Sequence, residues 1–154
     1  MDTDRADQAR SRGGGRESLE TSTAELGYHA VPASADRLPA LRRALMDWAT
    51  QAGLSADNVE ALGLSSYEAM ANVVEHAYTD GDGVLDLTAV CLPAENRVRV
   101  TVADRGEWTV PPARPDMRNG RGLPLIRRLA DESEVVAGSV GTTVRMWWSL
   151  SVAR

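Results

Sequence analysis

The sequence predicts an α+β fold: a two-layer α/β sandwich with a mixed, mostly antiparallel sheet and the helices on one face. Two observations carry that prediction. The stretches VLDLTAVCL (84–92) and RVRVTVAD (97–104) alternate apolar and polar residues around a short turn, as a half-buried hairpin does. Two helical periodicities precede this hairpin and a third follows it, so helices gather beside a mostly antiparallel set of strands.

Each element has its own local signal. LGYHAV (26–31) reads as a short strand. Ser34 offers a helix cap, Leu38, Leu41, Leu45 and Trp48 follow at helical spacing, and Gly53 is the stop. Ser55 caps a second, longer helix running to about Tyr78, with Val59, Leu62, Met70, Val73 and Ala77 on its apolar face. Residues 79–83 (TDGDG) are a turn cluster, and PAEN (93–96) is the hairpin turn. Residues 105–119 hold three prolines and no periodicity, which marks a long loop of the kind that often serves as a lid. A helix from about Gly122 to Asp131 comes next, and SEVVAG and TTVRMWWSL close the chain as two strands.

At 154 residues the chain suits one domain. Residues 1–25 are expected to be a disordered tail, or alternatively a partner-binding arm. Their apolar residues are few, Gly13-Gly14-Gly15 interrupts them, and ordering a backbone costs ~1–2 kcal/mol per residue. The domain proper is expected over 26–154.

The net charge of −5 argues against direct nucleic-acid binding or adhesion to an anionic membrane. No apolar stretch approaches a membrane span, the N-terminus lacks the apolar centre of a secretory signal, and a single cysteine, Cys91, precludes an internal disulfide. A cytoplasmic protein is the expectation. All 17 basic residues are arginine. Without lysine there is no Walker-type phosphate loop, no Schiff-base chemistry and no ordinary protein-kinase strand lysine. Phosphate would have to be met by backbone amides, arginine or a metal ion.

Four places can carry chemistry. Around YEAMANVVEHAY, Glu68, Asn72 and Glu75/His76 fall on one helix face, roughly opposite Met70, Val73 and Ala77; a plain solvated face is the alternative. Asp104 ends a run of alternating valines, where it can accept a hydrogen bond from an amino group, and Gly106 would let a ligand approach the backbone; an ordinary Asp-x-Gly turn is the alternative. In RNGRGLPLIRRL, Gly120 and Gly122 flank Arg121 just before a helix whose start is marked by Pro124. Such a start frees backbone amides for an anion, unless the glycines merely turn the chain. Gly141-Thr142-Thr143-Val144 opens the last strand and says little alone.

Taken in order, the EAMAN helix, the strand ending in DRG, the prolyl loop, the GRGL helix start and the GTTV strand resemble the ATP-binding domain of the GHKL, or Bergerat-fold, superfamily. Within it the chain is most similar to the bacterial anti-sigma factor/serine-protein kinases, on the phrases ExxxNxxEHAY and GRGLxLIxxLxDE. The resemblance covers about 26–150. It implies that Asn72 coordinates Mg²⁺ bridging the phosphates of ATP and that Glu68 is the general base towards an attacking hydroxyl. Asp104 would bind the exocyclic amine of adenine, with Gly106 giving the base room. Gly120 and Gly122 would deliver amides to the phosphates, Thr143 would hydrogen-bond near the adenine, and Arg121 or Arg118 would contact phosphate.

The implied activity is ATP-dependent phosphorylation of a serine on a small anti-anti-sigma (STAS) partner, which competes with a sigma factor for the same protein. One departure favours a second reading. Trp108 stands where the family's first glycine box has its second glycine, which fits a binding module with weak or no catalysis that acts by sequestration. No helix bearing a phospho-accepting histidine precedes the domain, so His29 and His76 are expected to pack or cap. The sequence leaves a homodimer open; related regulators commonly pair through their sheets and first helices, and apolar Tyr28, Val31 and Leu38 are the places to look for such a contact.

Overall fold

The computed structural model describes residues 25–78, 83–106 and 122–150. Strand β1 (Glu25–Pro32) leads through a short 3₁₀ turn into helix α1 (Leu38–Ala52), which carries Pro39 in its first turn and ends at Gly53. Helix α2 (Ala56–Asn72) starts on a genuine cap: the Ser55 hydroxyl accepts the Asn58 N–H at 3.1 Å. The hairpin β2 (Val84–Leu92) and β3 (Arg97–Asp104), helix α3 (Gly122–Leu129), and the hairpin β4 (Glu132–Gly138) and β5 (Gly141–Ser149) follow.

The strands form one sheet in the order β1-β2-β3-β5-β4. A mixed sheet was expected; all four pairings are antiparallel. Every second residue of β3 and β5 is buried: Val98, Val100, Val102 and Asp104 on one, Thr142, Val144, Met146 and Trp148 on the other. The apolar ones among them meet Leu41, Leu45 and Trp48 of α1, Leu62, Met70 and Val73 from α2 and its end, and Leu123 and Ile126 of α3 in one core. The Trp148 indole also donates to the Leu129 carbonyl at 2.9 Å, fastening the end of α3 to the sheet. On the opposite face Arg97 bridges Glu132 at 2.6 Å and Glu95 at 2.8 Å, and those two partners, Glu132 foremost, raise its pKa.

Several expectations need correction. The second helix does not run uniformly to Tyr78: after Asn72 the backbone widens into a π-helical turn, Val73–Ala77. The first strand opens at Glu25, one residue earlier than expected, and the rest of the anticipated tail lies outside the described residues. Leu38 is only 1% exposed and belongs to the core, so it offers no surface to a second copy, while Tyr28 and Val31 pack partly against that core. Strand β4 is mostly exposed, with Val136 at 52%, because it lies at the sheet edge beyond the helices. Among the described residues no helix is long and apolar enough to cross a membrane.

Candidate functional site

The π-helical turn that continues α2 abuts the residues just after β3, Ala77 against Gly106. Asn72, the last residue of α2, is 5% exposed, and its Nδ2 has no hydrogen-bond partner among the described residues. An unsatisfied buried donor costs ~1–3 kcal/mol, which an incoming hydrogen-bond acceptor at Nδ2 would offset. Glu68, one turn earlier on the same side of the helix, is half-buried. The anticipated polar column therefore splits. Asn72 is enclosed, Glu68 is partly open, Glu75 is exposed, and His76 lies beside Glu75 with 3.5 Å between Nε2 and Oε1.

Strand alternation delivers Asp104 to the helix-covered side, where it too is only 5% exposed. Its Oδ1 accepts from the Gly106 N–H at 3.0 Å and from the Thr142 N–H at 3.3 Å. Thr142 and Asp104 thus meet. Thr143 does not join them: it pairs with Ala103 on the opposite face of the sheet and is half-exposed. Thr143, the threonine expected near the adenine, therefore lies on the other face from Asp104, and the alternation with Val144, Met146 and Trp148 puts Thr142 on the core side.

Gly106 lies against the end of the π-helical turn. A β-carbon there would lie 2.0 Å from the Ala77 carbonyl oxygen and 2.9 Å from the Tyr78 ring. Its lack of a side chain lets the π-helical turn rest against the Asp104 loop. Gly141, which the sequence places at the opening of the last strand without a role, adopts φ +143°, and a β-carbon would lie 2.1 Å from the Asp104 carbonyl oxygen. Tyr78 joins the same junction: its hydroxyl donates to the Val84 carbonyl at 2.6 Å and accepts the Arg105 N–H at 3.0 Å. The Arg105 guanidinium grips both oxygens of Asp86 at 3.0 and 2.9 Å, and Asp86 also accepts the Ala30 N–H at 2.7 Å.

Gly122 is the first residue of α3, and Pro124 sits in its opening turn, as the sequence predicted. Gly120, Arg121, Trp108 and Arg118, with most of the expected lid, lie outside the described residues. Among the described residues no group of three or more His, Cys, Asp or Glu side chains is placed to hold a metal ion.

This arrangement defines the class: the chain belongs to the histidine kinase-like ATPase domain family, whose model matches residues 31–148. ATP is the ligand that membership implies. The chain is similar to serine-protein kinase RsbW from Staphylococcus aureus (strain MSSA476), at 30% identity over 130 residues that span 75% of this chain and 81% of that one. It is 32% identical over 139 residues to serine-protein kinase RsbW of Bacillus pumilus (strain SAFR-032), spanning 80% and 85% of the two chains. A crystal structure of the RsbU and RsbW domains of a Mycobacterium tuberculosis protein superposes with a TM-score of 0.67 at 25% identity, over 84% of this chain and 33% of that one. The histidine kinase domain of a blue-light activated histidine kinase from Erythrobacter litoralis shares the fold, at a TM-score of 0.56 and 24% identity over 77% and 61% of the chains.

Proposed function

We propose that this protein is a cytoplasmic, ATP-dependent serine-protein kinase and anti-sigma factor. It phosphorylates a serine of a STAS-type anti-anti-sigma partner and, when that partner is not engaged, sequesters a sigma factor. The observation that carries the reading is a pair of buried polar side chains, Asn72 at the end of α2 and Asp104 at the end of β3, on elements whose continuations meet at Ala77 and Gly106, in a chain 30% identical over most of its length to a serine-protein kinase.

In this mechanism Asp104 selects the base. A buried carboxylate welcomes the hydrogen-bond donor of adenine's amine and repels the carbonyl that guanine carries at that position. Its Oδ1 is steadied by two backbone amides, and Thr142, in place of Thr143, stands beside it. Gly106 keeps that loop close to the helix end. The Asn72 carboxamide oxygen would hold Mg²⁺, whose contribution when bound is to neutralise charge on the phosphates. Gly120, Gly122 and Arg121 would meet those phosphates at the start of α3, where amides point outwards. Glu68 accepts the proton of the partner's serine as its oxygen bonds to the γ-phosphorus and the bond to the leaving ADP oxygen breaks.

Two measurements test this. A ligand present at 100 times its Kd stabilises the native state by about 2.7 kcal/mol, so saturating Mg·ATP is expected to raise the melting temperature by roughly 5–11 °C. Mg·GTP is expected to do much less. Labelled γ-phosphate should then appear on a STAS partner's serine. A specific ATP shift without transfer favours the sequestering module, and no preference for ATP removes Asp104 as the reader of the base.

A further inference from the structure

Tyr78 lies immediately beyond the π-helical turn and reaches across to the loop that carries the base-reading carboxylate. Its ring occupies space that exists only because two neighbours lack side chains. A β-carbon on Gly83 would come within 2.2 Å of the ring, and one on Gly106 within 2.9 Å. Its hydroxyl is used in both directions, donating to Val84 at 2.6 Å and accepting the Arg105 N–H at 3.0 Å. Arg105 is thereby held at two points, since its guanidinium Nη2 also donates to both carboxylate oxygens of Asp86.

The residues on either side of Arg105 are the ones that matter for recognition. Asp104 precedes it, and Gly106, whose N–H bonds to Asp104 Oδ1 at 3.0 Å, follows it. Holding the central amide of this three-residue loop fixes the direction of the carboxylate before it and the amide after it. A phenol suits the task because it supplies a rigid ring for the glycine-lined slot and one oxygen that bridges a donor and an acceptor.

We infer that Tyr78 is a positioning residue for the Asp104 carboxylate, aligning it to discriminate a 6-aminopurine nucleotide from a 6-oxopurine one. The inference rests on Asp104 being the reader of the base. Tyr78 does not touch the nucleotide; it acts through the Arg105 amide and the Gly106 contact. Loosening that hold lets the carboxylate sample directions in which it neither accepts well from an amine nor repels a carbonyl.

The experiment is calorimetric titration of the full chain and its Tyr78→Phe variant with Mg·ATP and Mg·ITP, two nucleotides that differ at the purine 6-position. Tyr78→Phe keeps the ring and removes the bridging oxygen. The ratio of ATP to ITP affinity is expected to fall by about tenfold, the size of one lost buried hydrogen bond. Equal weakening towards both nucleotides, as general destabilisation would produce, overturns the inference, and so does an unchanged ratio. A wild-type chain that binds ATP and ITP alike disproves the role of Asp104 itself, a distinct failure. Should Tyr78→Phe not fold, hydrogen exchange on the wild-type chain decides. An Arg105 amide protected from exchange supports the latch, and one exchanging at the rate of an open loop overturns it.

Discussion

Replacing Gly141 with alanine should damage both the sheet and the nucleotide loop, and the structure sets the size of the effect. At φ +143° the backbone occupies a region that a side chain disfavours by ~1–2 kcal/mol. The added carbon would also lie 2.1 Å from the Asp104 carbonyl oxygen and 3.1 Å from the Arg105 Cα. Those atoms are backbone and cannot rotate away, so the overlap adds ~1–3 kcal/mol. The combined loss is about 3 kcal/mol, which for a domain of this size lowers the melting temperature by roughly 6–12 °C. Gly138 is the internal control. It faces Gly141 across the β4–β5 hairpin, but a β-carbon there meets its nearest neighbour at 3.9 Å, an ordinary contact. Thermal denaturation of the two alanine variants should therefore separate them clearly, with Gly138→Ala melting at or slightly above the wild type. If Gly141→Ala melts within about 2 °C of the wild type, the close approach of β5 to the Asp104 loop is wrong.

Other substitutions probe the remaining groups. Asn72→Ala should abolish phosphotransfer. Because its Nδ2 has no partner among the described residues, the same change should leave the melting temperature of the nucleotide-free protein unchanged or slightly raised; unimpaired transfer would remove Asn72 from the mechanism. Glu68→Gln is expected to slow single-turnover transfer far more than it weakens ATP binding, and a loss confined to binding would contradict its role as base. Ser55→Ala removes the α2 cap and should cost about 1 kcal/mol in urea denaturation without altering nucleotide preference.

The local elements were readable because their signals are short-range. Alternating valines in 97–104 marked a strand and assigned Asp104 to its end; Ser55 and Gly53 marked helix boundaries that the structure reproduces. The split of the anticipated polar column was not readable. A helical wheel shows that Glu68 and Asn72 share a side, but burial of Asn72 depends on what packs over the end of α2. Leu38 failed as a surface residue for the same reason, since its periodicity was correct and its neighbours were unknown. The exposure of β4 follows from its place at the sheet edge, which strand order decides and composition does not.

Periodicity and capping thus determine which segments are helix or strand, because those preferences act over a few residues, and the ordered motifs were enough to point to the family. The junction at the site is different in kind. Tyr78 meets Arg105 across 27 residues, Asp104 meets Thr142 across 38, and Asp86 meets Ala30 across 56. Such pairs arise when a π-helical turn, a strand end and two glycines come within bonding distance. That proximity comes from the packing of helices on the sheet and is encoded in no single stretch of the chain.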